Sequence, residues 1–280
     1  DPAMSPVQAL GVTWWAWKGF GEVATDLRPW TPLALASLVR LAVLLLIVFF
    51  HRPEWVGLML PVVESLGGPE ASHYPDHLLR LPVVFDGIDP WVVLLLGGPA
   101  AVASLRSIVV ALAPSARGAA GAGARRILDA MLIIACLLAL DAAVTGVFGF
   151  LPDALRDRGG KLGLALLMLH TATLILVTSP LVHGLAAVVV RDESASAAIR
   201  RSVRIASAHP VTALLLTALP ALASLPFQAL GGPVGTTRMA SLPEAMVVVI
   251  AVRLIAETIA VLVTLAATTR IVLWNAGEEG

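Results

Sequence analysis

Five ionisable residues stand inside long apolar runs of this chain: Arg40, Asp141, His170, Arg253 and Glu257. An ionised group at the centre of a bilayer costs about 3 kcal/mol or more, so such residues normally face inward and meet a partner. Arg253 and Glu257 are four apart, which lets them pair along one helix face. At about 1.5 Å of rise per residue, Arg40 lies about 13 Å into its run, close in depth to Glu257 and Arg253. Asp141 and His170 fall in a slightly more outward layer with Arg253. Two arrangements follow. One is a polar pathway, or a pocket for an anionic head group, lined by all five. The other is a pair of internal ion pairs, Arg40–Glu257 and Arg253–Asp141, that fix helix register and cancel in charge. Arg106, Asp129, His183 and Arg270 lie nearer the ends of their runs and are expected to snorkel or meet head groups.

A second cluster, His73-Tyr74-Pro75-Asp76-His77, lies outside those runs. Histidines at i and i+4 with an aspartate at i+3 converge on zinc if the segment is helical. A proline is tolerated in a first turn, but the nearest further histidine is His51. The expectation is a surface loop that holds no metal, with a metal site at His73, Asp76 and His77 as the alternative. No nucleophile elbow, phosphate-binding loop or HExxH motif occurs. The glycine-rich stretch Gly118–Gly123 follows no strand pattern and reads as a flexible loop. Nothing in the sequence calls for a cofactor.

The third candidate is Arg191–Pro210, RDESASAAIRRSVRIASAHP. Asp192, Glu193 and Ser194 suit a helix N-terminus. Ala195, Ile199, Val203 and Ala206 form its apolar side and Arg200, Arg201, Arg204 and Ser207 its polar side. On a membrane surface these arginines meet lipid phosphates or enforce topology.

The elements that must carry these residues are transmembrane helices. Hydrophobic residues make up 58% of the 280 and charged residues 14%, with mean hydropathy +0.88, against about a quarter charged in soluble domains. The expected fold is an all-α polytopic bundle of six spans, near residues 31–50, 91–112, 127–151, 162–190, 211–230 and 245–274. Gly97-Gly98-Pro99 is expected to kink the second. The fourth is longer than the ~20 residues a span needs, so it should tilt or bend near Pro180. Residues 51–90 are acidic, with apolar pieces too short to span, and read as a small extracytoplasmic helical cap. Residues 5–30 read as an amphipathic interfacial helix. Three tryptophans there, Trp14, Trp15 and Trp17, favour the head-group region. Residues 1–4 resemble a cloning scar, and no cleavable signal is evident. The one cysteine, Cys136, excludes an internal disulfide. A net charge of zero gives no reason to expect nucleic acid.

Orientation follows from the basic residues in the connections. With the N-terminus inside, Lys18, Arg28, Arg117, Arg125, Arg126, Arg191, Arg200, Arg201, Arg204 and Arg270 are inside, ten in all. Arg52, Arg80, Arg156, Arg158, Lys161 and Arg238, six, are outside. Ten against six favours both termini in the cytoplasm, and the composition suggests a bacterial inner membrane.

The run Ala198-Ile199-Arg200-Arg201-Ser202-Val203-Arg204 is followed by a polar turn and an Ala/Leu/Pro-rich span. It resembles the alanine–serine–basic signature before a late span of the YciC-like proteins and of the membrane domain associated with glycerophosphodiester phosphodiesterases. The close, Thr269-Arg270 through Trp274, is similar to theirs, although the usual tyrosine is missing. The resemblance covers about the last 85 residues. It implies a six-span inner-membrane bundle and no catalysis, since the phosphodiesterase domain has no counterpart here. Three roles follow. The leading one is non-enzymatic and lipid- or envelope-related: binding, transport or assembly, with membrane lipids and other subunits or a second copy as partners. The second is a small transporter or channel using the mid-membrane charges. The third is a membrane-embedded metalloenzyme at His73, Asp76 and His77.

Overall fold

The computed structural model describes residues 6–113, 126–150, 161–231 and 241–277. The scar at 1–4, the Gly118–Gly123 loop, Arg117, Arg125, Arg156, Arg158 and Arg238 lie outside them. Among the described residues every regular element is a helix. They run α1 (Pro6–Val23), α2 (Leu27–Val48), α3 (Pro53–Gly67), α4 (Asp76–Leu79), α5 (Leu81–Val92), α6 (Gly98–Leu112), α7 (Ile127–Gly149), α8 (Lys161–Thr178), α9 (Gly184–Val190), α10 (Ala195–Ala208), α11 (Pro210–Gly231) and α12 (Ala245–Asn275). A π-helical turn, Val93–Gly97, joins α5 to α6, and a 3-10 turn, Ser179–Leu181, leads from α8 towards α9.

Six segments are long and apolar enough to cross a bilayer: Leu27–Val48, Leu81–Leu112, Ile127–Gly149, Lys161–Val190, Pro210–Leu230 and Ala245–Asn275. The protein is a multi-pass membrane protein with an all-α bundle fold. The second span begins at Leu81, ten residues before the expected Trp91 (91 − 81). Asp86, Asp89 and Pro90 make this stretch read as a connection. It stays helical, with both carboxylates paired to arginines.

The spans close into a ring. α2 packs on α6, α6 on α7, α7 on α8, α8 on α11, α11 on α12, and α12 back on α2. Gly98 sets one of these contacts: a Cβ there would stand 2.5 Å from Met131 Cγ and 3.2 Å from its backbone nitrogen. The break expected near Pro180 is present, and it redirects the chain. α8 stays in the ring, whereas α9 turns inward against α6, α7 and α12 and is buried along its length. The break leaves polar backbone groups that no helix satisfies. Ser202 of α10 meets two of them, donating to the Pro180 carbonyl at 2.7 Å and accepting from the His183 amide at 3.1 Å. Burying such groups without a partner would be costly, so α10 is a splint for the fourth span.

α10 itself buries Ala195, Ala198, Ser202, Ile205 and Ala206. Val203, expected on the apolar side, is exposed, because the buried face follows the Ser202 contact. Ser194 makes no side-chain cap. The first amide is capped from α7 instead, where Asp129 accepts from Ala195 N at 2.8 Å.

α1 also differs from a helix lying free at the interface. It packs on α6, α11 and α12 and covers the end of the ring opposite the cap. Thr13 bonds Thr212 at 3.1 Å, and Ala16 and Val23 are fully buried. Trp15 lies edge-on to Trp274 and under the Arg270 guanidinium, which also pairs with Glu22 at 2.8 Å. Trp17 packs against the core. Only Trp14 of the three tryptophans is exposed, at 63%. Trp15 and Trp17 are thus partly buried against the bundle, and Arg270 is tied to α1 through Glu22 and Trp15. The buried face of α1 is covered by two spans: α11 meets Thr13 through Thr212, and α12 meets Gly19 through Ala266 and Arg270.

On the other side, α3, the 3-10 turn Pro69–Ser72 and α4 form the cap, which ends at Arg80. Phe50, Val63, Leu81, Val84 and Phe85 fill its core. Gly68, at φ +81°, ends α3 in a conformation suited to glycine.

Candidate functional site: a charge chain above an apolar cavity

A cavity of about 470 Å³ lies inside the ring, and all six spans contribute to its wall. Most lining side chains are aliphatic, and the charged ones are Arg40, Asp141 and Glu257. Both irregular segments of the spans line it. Val93, Leu96 and Gly97 come from the π-helical turn, and Thr178, Leu181 and Val182 from the break in the fourth span. Irregular backbone at membrane depth is tolerated where it lines a cavity or is covered by protein, and π-turns gather at functional sites.

The cap-side end of the cavity is a chain of alternating charges. Arg40 grips Asp89 with two parallel bonds, Nε to Oδ1 at 2.7 Å and Nη2 to Oδ2 at 2.6 Å. The same Nη2 donates to Glu257 Oε2 at 2.8 Å. Arg253 donates from Nε to Glu257 Oε1 at 2.7 Å and from Nη1 to Asp86 Oδ1 at 2.8 Å. The order is Asp89–Arg40–Glu257–Arg253–Asp86. Bidentate, charge-assisted bonds of this kind are the strong class of hydrogen bond. A hydroxyl pair, Ser37 and Thr258, joins α2 to α12 beside the chain at 2.5 Å. The helices deliver these groups to one depth. Val48 to Arg40, Leu81 to Asp89, Ala245 to Arg253 and Gly149 to Asp141 are each eight residues, about 12 Å of rise.

The chain separates two spaces. Arg40 and Glu257 line the large cavity. Asp86 and Arg253 line a second pocket of about 170 Å³ on the cap side, with Phe227 and Gln228.

Of the five residues singled out in the sequence, three come together: Arg40, Arg253 and Glu257. The Arg40–Glu257 contact is the expected one. The expected Arg253–Asp141 pair is not formed, because Glu257 and Asp86 occupy the Arg253 guanidinium. Asp141 instead lines the cavity from α7, electrostatically coupled to His170 and Arg253 but making no hydrogen bond or ion pair among the described residues. His170 faces Thr145, Nε2 to Oγ1 at 3.3 Å, and packs edge-on to Phe148. Asp86 and Asp89 were not among the sequence candidates. Their signal is spacing: two carboxylates three apart share one helix face. With them the charges no longer cancel. Three carboxylates meet two guanidinium groups, and Asp141 adds a fourth acid.

The other candidates fall elsewhere. His73, Asp76 and His77 do not gather as ligands, and no group of three or more metal-binding side chains occurs among the described residues. His73 Nδ1 turns to the Ser72 hydroxyl at 3.0 Å, while His77 packs against His51 and Phe50. The helix α4 begins only at Asp76, so His73 lies outside it and the i, i+4 spacing does not bring the two histidines onto one helix face. Burial, with the neighbouring His51, holds His77 below the ordinary imidazole range. Arg201 donates from Nε to Glu193 at 2.7 Å, whereas Arg200 and Arg204 are exposed. His183 is fully buried at the fourth-span break.

No family model matches this chain, and neither a curated protein nor a solved structure matches it.

Proposed function

We propose that this membrane protein binds an amphiphilic, lipid-like molecule in the central cavity, with its alkyl part among the aliphatic walls and its polar end toward the charge layer. The observation that carries the reading is the cavity itself. Its volume falls within the ~300–1,000 Å³ range of small-molecule sites, and a largely apolar lining with a few convergent polar groups is their usual make-up. Two irregular backbone segments line the same space, as binding sites in membrane carriers often do. The bias of basic residues supports cytoplasmic termini, in a bacterial inner membrane. The resemblance of the last third to the YciC-like group agrees with a non-enzymatic envelope role.

The test is extraction of bound lipid. Gently solubilised wild-type protein should retain an amphiphile at near one-to-one ratio, read by mass spectrometry. Ala36→Trp and Ala221→Trp, which fill the cavity from two different spans, should lose it while loosely bound bulk lipid stays unchanged. Identical lipid profiles in all three proteins would overturn the reading.

A transport role has one specific observation in its favour. The charge chain divides two pockets, so parting Arg40–Glu257 and Arg253–Asp86 would connect the cavity to the cap side. Cysteines placed at Ser37 and Gln228 should then differ in reagent access when the ligand is added; access that never changes would argue for binding without passage.

A further inference from the structure

Three charged side chains line the cavity, and two of them are fully engaged. Arg40 is held by Asp89 and Glu257. Glu257 gives one oxygen to Arg40 and the other to Arg253. The third, Asp141, has no hydrogen bond or ion pair among the described residues. Its nearest charged neighbours are already turned elsewhere: Arg253 to Glu257 and Asp86, His170 to Thr145. An ionised carboxylate in an apolar, low-dielectric space is strongly unfavourable without a counter-charge. The surplus across this layer is acidic, four carboxylates to two guanidinium groups.

From this charge complementarity we propose that the occupant of the cavity carries an ammonium group, held by the Asp141 carboxylate, on a single alkyl body. The inference rests on the reading of the cavity as an amphiphile site. It replaces the anionic head group that the arginines alone would suggest. Both guanidinium groups are already neutralised by carboxylates, so a phosphate or carboxylate entering the cavity would find acids facing it. An ammonium finds an open acceptor in Asp141, with the Ser37 and Thr258 hydroxyls on the opposite wall. The ammonium belongs either to a free lipophilic amine or to the head group of a membrane lipid that inserts one chain.

The experiment uses the full chain in a neutral maltoside detergent. Binding of radiolabelled dodecylamine is measured and competed with dodecanol, which has the same chain and no charge. Wild type should prefer the amine by about tenfold or more in Kd, the scale of one charge-assisted bond. Asp141→Asn should bring amine and alcohol to equal affinity while keeping the alcohol's binding. Ala221→Trp should remove both. Displacement by phosphatidylethanolamine but not phosphatidylglycerol assigns the ammonium to a lipid; displacement only by single-chain amines assigns it to a free amphiphile. Equal affinity of wild type for amine and alcohol overturns the ammonium inference and leaves the cavity reading standing, and it needs no variant to fold. Amine preference that persists in Asp141→Asn also overturns it. Failure of both probes to bind wild type overturns both proposals.

Discussion

Glu257 and Asp141 are two acids on opposite walls of one cavity. Glu257 sits between two arginines, each within 2.8 Å, and its removal would leave both with an unmet donor. Among the described residues Asp141 touches no charged group within ion-pair distance. Pairing makes the first a structural tie between α2 and α12, reinforced through Asp86 and Asp89 on α5. Lack of a partner makes the second available to something that enters. The same chemical group takes on different work according to what its neighbours already hold.

The largest effect should come from breaking the tie. Glu257→Gln should destabilise the protein by about 3–5 kcal/mol, because it gives up two charge-assisted bonds of about 1.5–3 kcal/mol each, one to Arg40 and one to Arg253. Thermal unfolding in detergent measures it. Arg40→Met should act at similar scale, and the double variant should show coupling of about 1–3 kcal/mol in a mutant cycle. Next in size, Gly98→Val should cost about 1–3 kcal/mol, since the added side chain forces α6 and α7 apart at Met131. Ser202→Ala should follow at about 1–3 kcal/mol, by leaving the His183 amide and one acceptor at the fourth-span break without their partner. The smallest effect should be at the lone acid. Asp141→Asn should change ligand-free stability by no more than about 0.5 kcal/mol, or raise it, because no interaction is lost. An Asp141→Asn loss as large as that of Glu257→Gln would erase the distinction between the two acids.

How far the sequence carries this picture differs from part to part. The six spans are legible because uninterrupted apolar runs admit little else, and Pro180 marks the break in the fourth. Arg40 and Glu257 are legible as partners because rise per residue gives depth. Depth does not give rotation about a helix axis, so the choice of Asp86 rather than Asp141 for Arg253 is invisible until the helices are packed. Asp86 and Asp89 are hidden for another reason. Two acids and Pro90 beside an acidic connection look like loop, although inward-facing arginines make the helix tolerable there. The tryptophans of α1 show the same limit from the apolar side. Composition places an indole near a surface, but packing against the bundle decides that Trp15 and Trp17 are partly buried and Trp14 is exposed. The role of Ser202 depends on a break in a different span and has no local signature.

The central claim is that the cavity is an occupied site whose polar end is Asp141. A lipidic-phase crystal structure of the protein prepared without delipidation tests it most directly. Elongated density is expected along the aliphatic walls, with a polar terminus within hydrogen-bond distance of the Asp141 carboxylate and the Arg40–Glu257–Arg253 chain intact. An empty or water-filled cavity, or an Asp141 side chain paired with Arg253, would contradict it.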